Sequence, residues 1–149
     1  MVLLTEESLQ ELYEIDDSLW LEKTILILKE RRLEDLDIKN LIEELESLAR
    51  NDKARVKSLL EQVIRHLLLL QYWQEEREYN AHHWRAEIKS FRIQLEDRLT
   101  TNLRNYLQDN FQKIYQDALE YVQEKTGFKV NFPRESPYTL EQLLDRNWL

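Results

Sequence analysis

The sequence predicts an all-α protein, a helical bundle of about five helices with a C-terminal extended strap and a short terminal helix. Three observations carry this expectation. The chain has one glycine and two prolines in 149 residues, and none of them precedes Gly127. Helix is therefore uninterrupted by its strongest breakers over the first 126 residues. Apolar residues recur at helical spacing through most of that stretch, and no sustained alternation of period two marks a strand.

The length suits a single domain, 1–149, with a bundle over 1–126, a strap over 127–138 and a docking helix over 139–149. Thr5-Glu6-Glu7 starts a first helix with Leu9, Leu12 and Tyr13 on its apolar face. Asp16 or Asp17 caps a second, in which Trp20, Leu21, Ile25 and Leu28 are apolar and Arg31-Arg32 closes the end. Asp37 caps a third, with apolar positions 38, 41, 42, 45, 48 and 49. A second stripe follows at Val56, Leu59, Leu60, Val63, Leu67 and Leu70. Asn51 and Asp52 predict a break between the two stripes, although their shared phase would also suit one long helix. Leu59 to Trp73 is apolar on more than one face, the pattern of a central helix.

Asn80 is the expected cap of the next helix, whose seam is Trp84, Ile88, Phe91, Leu95 and Leu99. Thr100-Thr101-Asn102 predicts a break, and a last long helix carries Leu103, Leu107, Phe111, Ile114, Ala118 and Val122. Gly127 ends it as a left-handed C-terminal cap. Pro133 and Pro137 then hold the chain extended, and Thr139 with Gln142 three residues on signals a reciprocal helix cap. Phe132, Tyr138, Leu140, Leu143, Leu144 and Trp148 supply the contacts that dock this segment.

Composition excludes more chemistry than it offers. There is no cysteine, which removes disulfides, thiolate metal sites and thiol catalysis. No unbroken apolar run exceeds four residues, as at Leu67–Leu70, far short of the roughly 20 a membrane helix needs. The N-terminus reaches acidic residues at once and does not read as a signal peptide, so a cytoplasmic location is expected. One glycine allows no phosphate-binding loop, and the serines form no nucleophile motif.

Charge is uneven. Residues 1–50 hold 14 acidic against 6 basic side chains, a net of -8, whereas 51–100 hold 8 against 9 and 101–149 hold 7 against 6. An acidic chain is a poor generic partner for nucleic acid. Arg85, Lys89 and Arg92 do form a basic stripe at i, i+4 and i+7, with Trp84 and Phe91 close in sequence. Those two aromatics fit the apolar seam better than a base-stacking platform.

The three histidines are His66, His82 and His83, and none has a glutamate three residues before it, as a carboxylate-bridged dimetal bundle would need. A mononuclear metal site would draw on His66, His82, Glu43 and Glu44. The blander reading makes His66 a half-buried histidine hydrogen-bonded inside the bundle, and the run Glu43, Glu44 and Glu46 a solvated helix face. Asn40, one turn before Glu43 and Glu44, lies next to the apolar stripe.

Three stretches together resemble one family. They are LEDLDIKNLIEELESLARNDKARVKSLLEQVIRHLLLLQYW, then WRAEI, then FPRESPYTLEQLLD, in that order over nearly the whole chain. The sequence is similar to the bacterial, largely cyanobacterial, family catalogued as domain of unknown function twenty-nine. The resemblance implies an all-helical cytoplasmic domain without an established activity. On matching positions it singles out Asn40, Glu43, Glu44, Glu46, His66, Trp84 and Arg85 as a candidate functional surface. Ala49 stands where the family commonly has glycine, and Ser136 where it commonly has cysteine.

The resulting expectation is a non-enzymatic helical interaction or scaffold module, with no catalytic residue and no cofactor, binding an unidentified protein or its own copies. The alternative is a metal-dependent or nucleic-acid-acting protein. It would use His66, the Glu43/Glu44/Glu46 cluster and the Arg85/Lys89/Arg92 stripe.

Overall fold

The computed structural model describes the chain from Glu6 to Leu149, with side chains from Leu9 onward, so the Thr5 start expected for the first helix lies outside the described residues. The described residues form α-helices and one 3-10 turn, without strands, as the glycine- and proline-poor sequence requires. In order they are α1 (Glu6–Ile15), α2 (Asp17–Lys29), the turn Leu33–Asp35, α3 (Ile38–Tyr72), α4 (Gln74–Arg98), α5 (Thr101–Asp109), α6 (Phe111–Lys125) and α7 (Leu140–Leu144). The chain divides into two compact units, residues 1–50 and 51–149.

The first unit has a small core of Leu9, Trp20, Ile27 and Leu36, with Leu12, Tyr13 and Leu41 packed on it. The Asp16 side chain accepts from the Leu19 amide at 3.1 Å and caps α2 as the sequence implies. The other end of α2 closes with paired bonds, Arg32 N–H to the Ile27 carbonyl and Arg31 N–H to that of Leu28. This closure puts Arg31 at φ +58°, a position glycine normally fills. Asp37 is buried at 1% exposure and joins the elements together. Its carboxylate accepts from the Trp20 indole at 3.2 Å and the Asn40 side-chain amide at 2.7 Å. It also accepts from the Asn40 backbone N–H at 3.4 Å, capping α3.

α3 continues without a break through Asn51 and Asp52, overturning the expected interruption. Breaking a helix forfeits up to four backbone bonds, leaving carbonyls unpaired on one side and N–H groups on the other, while a cap returns one or two. Without glycine or proline, and with Ala49 ahead of the pair, nothing offsets that loss. The helix instead ends at Tyr72, and α4 begins at Gln74 after Trp73 leaves helical geometry. Asn80 is therefore no cap. It lies inside α4, and its side-chain amide bonds to the Glu76 carbonyl at 3.2 Å and to the Glu76 carboxylate at 3.3 Å.

The break expected at Thr100-Thr101-Asn102 falls between α4 and α5, and Thr100 caps α5, accepting from the Leu103 amide at 3.2 Å. The single long helix expected after it divides at Asn110, whose side chain bonds back to the Tyr106 carbonyl at 2.8 Å. Such back-bonding competes with helix propagation. α6 ends with Phe128 N–H on the Gln123 carbonyl and Gly127 N–H on that of Glu124. Gly127 stands at φ +64°, where a side chain would be strained.

The core of the second unit surrounds the α3 stretch Leu59–Leu70 with Trp84, Ile88 and Leu95 of α4, Leu107 of α5 and Ile114, Ala118 and Val122 of α6. The strap and α7 complete it through Phe132, Tyr138, Leu140 and Leu143, with Leu144 and Trp148 packed outside. Pro133 and Tyr138 are tied in by the Tyr115 hydroxyl on the Pro133 carbonyl (2.6 Å) and the Tyr138 hydroxyl on Gln71 (2.8 Å). Ser136 folds the strap locally, donating to the Tyr138 carbonyl and accepting from its amide. The Thr139–Gln142 reciprocal cap forms as the sequence implies.

Arg92 parts from Arg85 and Lys89, with which it forms a basic stripe in the sequence: those two are exposed and Arg92 is not. It is 2% exposed, and its guanidinium donates to the carbonyls of Leu143 (2.8 Å), Trp148 (2.5 Å) and Gln142 (3.1 Å). These include carbonyls from the end of α7, which a five-residue helix cannot pair internally. Arg92→Met keeps the aliphatic stem and strands those carbonyls. It is expected to cost about 3 kcal/mol in urea unfolding. Unfolding unchanged from the parent chain would show the clamp to be idle.

Candidate functional site

In the first unit, two of the candidate polar residues have structural duties. Asn40 holds Asp37, and Glu44 accepts a 2.9 Å bond from the Tyr13 hydroxyl. That bond raises the Tyr13 pKa above its ordinary value. Glu43 and Glu46 are exposed. More unusual is what accompanies them. Ile38, Ile42, Leu45 and Leu48 on α3 are each about half exposed, at 51%, 51%, 57% and 50%. On α2, Leu21, Ile25 and Leu28 lie to one side of the buried Trp20, Thr24 and Ile27, while Leu19 and Leu26 lie to the other, and all five are exposed. A helix apolar around its circumference is normally enclosed, and α2 is buried along one edge alone.

In the second unit, His66 and Trp84 share a cavity of about 350 Å³. α3 contributes Arg65, His66 and Leu69 at helical spacing, and Trp73 joins them from the turn between α3 and α4. Glu76, Asn80, His83 and Trp84 are spaced likewise on α4, and Tyr121 and Lys125 stand one turn apart on α6. The indoles of Trp73 and Trp84 stack with centroids 6.1 Å apart and planes 19° from parallel. The Arg65 guanidinium lies 3.8 Å from the Tyr121 ring centroid and pairs with Glu61 at 2.9 Å. Its Nε–H is buried without an acceptor.

The protonation state of His66 follows from its contacts. A ring nitrogen, Nδ1, stands 2.7 Å from the Gln62 carbonyl, which can accept only, so Nδ1 carries the proton. Burial lowers the imidazole pKa below 6.5, with the Gln62 bond opposing. The neutral ring therefore keeps Nε2 as an acceptor. Phe91 packs against it with centroids 5.5 Å apart.

The remaining candidates are not drawn into this cavity. Arg85 and His82 are exposed, as is Lys89, and Arg85 and Lys89 enter no ion pair among the described residues. Trp84 belongs to the core, as its place in the seam implies. Within either unit, no group of three or more His, Asp or Glu among the described residues is arranged to hold a metal. His66 and Trp84 were legible singly in the sequence. Trp73, Asn80, Lys125 and Tyr121 were not, although the mixed polar and aromatic spacings 66/69/73, 76/80/83 and 121/125 are the signal that marks a lined groove.

The family model described as "Domain of unknown function DUF29" matches residues 12–149. The chain belongs to this family. No curated protein and no solved structure matches it. The DUF29 match spans both the aliphatic face and the cavity, and it assigns a role to neither. No helix of this DUF29 chain is long and apolar enough, among the described residues, to cross a membrane.

The His66 shift has a sign that can be checked. Below pH 6.5 the unfolded chain binds a proton that the folded imidazole resists, so His66 favours the folded state above that pH and its contribution is lost as pH falls below 6.5. The His66 ring resonance is expected to titrate below 6.5 by NMR, with ¹⁵N shifts of the Nδ1–H tautomer. His66→Phe is expected to flatten the decline in stability between pH 6.5 and the lowered value. An unaltered decline would separate it from this residue.

Proposed function

We propose that this DUF29 chain is a non-enzymatic interaction module of the cytoplasm, and that residues 19–48 dock on a basic protein surface. The observation carrying this reading is the aliphatic surface of α2 and the start of α3, where nine exposed Leu and Ile side chains (19, 21, 25, 26, 28, 38, 42, 45 and 48) surround a four-residue core. Exposed apolar patches of that kind are where proteins associate. Charge selects the partner. The first 50 residues carry -8, while residues 51–149 hold 15 acidic and 15 basic side chains. Two copies meeting through the acidic segment would repel, whereas a basic partner gains steering and affinity.

The test places a photoreactive residue at position 45 and maps cross-links in cells. Adducts with basic proteins, lost at high ionic strength and weakened about tenfold or more by Ile42→Gln with Leu45→Gln, are the expected result. Because both positions are exposed, these changes should alter stability by no more than about 0.5 kcal/mol. Cross-links between copies of the chain, or none, would refute the reading, as would a dimer by light scattering of the purified protein.

A further inference from the structure

We infer that the start of α3 receives an amphipathic helix of its partner, with cations on that helix facing Glu43 and Glu46. The inference rests on the docking of residues 19–48 proposed above and names the form the partner takes there. The order of the exposed aliphatic side chains along α3 selects that form. Residues i, i+3, i+4 and i+7 of a helix enclose one recess on its surface, the hole that takes a single side chain from a facing helix. Ile38, Leu41, Ile42 and Leu45 are such a set, and all four are aliphatic. Leu45, Leu48 and Ala49 begin the next set one heptad on, with Leu45 as the shared corner. Leu41 is half-buried against the core of the first unit, while Ile38, Ile42, Leu45, Leu48 and Ala49 are exposed, so both recesses are open to a partner.

Other occupants match this surface poorly. Recesses one heptad apart lie about 10.5 Å apart along the helix axis. A strand repeats its same-face side chains about every 6.7 Å, so it fills one recess and misses the next. A facing helix repeats its own apolar side chains at the heptad interval and fills both. The rim then sets the sign of the partner. Glu43 and Glu46, next to Ile42 and Leu45, are exposed and enter no ion pair among the described residues. From Ile38 to Ala49 the chain has three glutamates and one cation, Lys39, which favours a basic helix. A second copy also offers a helix, but it brings a second acidic segment of net -8 with it.

The probe is a synthetic peptide of about three heptads, with leucine at a and d and lysine and glutamine elsewhere. It is titrated into the full chain and followed by peptide fluorescence anisotropy, circular dichroism and the amide resonances of residues 38–49. Saturable binding is expected, with helix gained and the largest shifts in those residues. A peptide whose leucines alternate in the strand period, and one with glutamate in place of lysine, should each bind more weakly by about tenfold or more. Leu45→Gln removes the corner both recesses share, and Glu43→Lys with Glu46→Lys reverses the rim. All three positions are exposed, so the fold should be kept while binding of the lysine peptide weakens about tenfold or more. The charge reversal should also strengthen binding of the glutamate peptide. Equal binding of the alternating peptide, or binding with no helix gained, overturns the inference and leaves docking on a basic surface standing. Binding indifferent to Leu45→Gln overturns it too. So does the absence of saturable binding up to about 1 mM, and the cross-links in cells then decide the docking reading separately.

Discussion

Between Leu59 and Leu70, α3 buries eight of its twelve residues, and they point around most of its circumference. A helix of this kind must be enclosed, because leaving any side open would return Leu, Ile or Val side chains to water at about 1.5–3 kcal/mol each. The rest of the second unit follows from that constraint. α4 and α6 cover two sides, and α5 adds Leu107. The strap supplies Phe132 and Tyr138, and α7 supplies Leu140 and Leu143. α7 is too short to be stable alone, so it needs both caps fixed from outside its own backbone. Thr139 and Gln142 fix the start. Arg92 fixes the end, and a buried guanidinium is tolerated there because carbonyls satisfy it. The depressed Arg92 pKa records the desolvation, with Asp145 opposing it.

The same helix behaves differently at its start. Residues 38–49 carry the period of an amphipathic helix, yet the apolar positions Ile38, Ile42, Leu45 and Leu48 are exposed. What holds the first unit together is correspondingly polar. Asp37 gathers the Trp20 indole and both Asn40 donors, and Tyr13 bonds to Glu44. Hydrogen bonds fix geometry without consuming apolar surface, so the unit can be ordered while its aliphatic side chains stay available. A larger internal core would have had to use the same leucines and isoleucines.

Local chemistry was legible in the sequence wherever one segment determines the outcome. Asp16, Asp37, Thr100 and Thr139 cap the helices their neighbours predict, and Gly127 takes the left-handed turn. Asn51-Asp52 and Asn80 misled because a residue that caps well also sits in a helix at small cost, and only the balance with backbone bonding decides. The turn at Trp73 has no glycine or proline to announce it. Arg31 adopts the left-handed conformation without the usual residue, so no composition rule marks it. Arg92 read as part of a basic face because its partners lie some 50 residues away, at Leu143, Gln142 and Trp148. A periodic pattern identifies which residues share a face; it does not identify what that face meets.

The cavity extends this distinction. His66 is separated by one helical turn from Gln62, and that local bond alone sets its tautomer. Its usefulness as an acceptor depends on elements remote in sequence, since α4 brings Glu76 and Asn80 and α6 brings Lys125. Each of these residues, read singly, is an ordinary surface side chain on an amphipathic helix. Their juxtaposition next to stacked indoles is what makes desolvation matter, because a charge beside low-dielectric walls gains more from a complementary ligand than the same charge in open water. Arg65 illustrates the point within one residue. Its terminal nitrogen is paired with Glu61 and its plane lies on Tyr121, so the side chain is held in place while its buried Nε–H lacks an acceptor. The contacts that fix the side chain also close its Nε–H off from water, so the donor's missing partner is a cost of the packing around it.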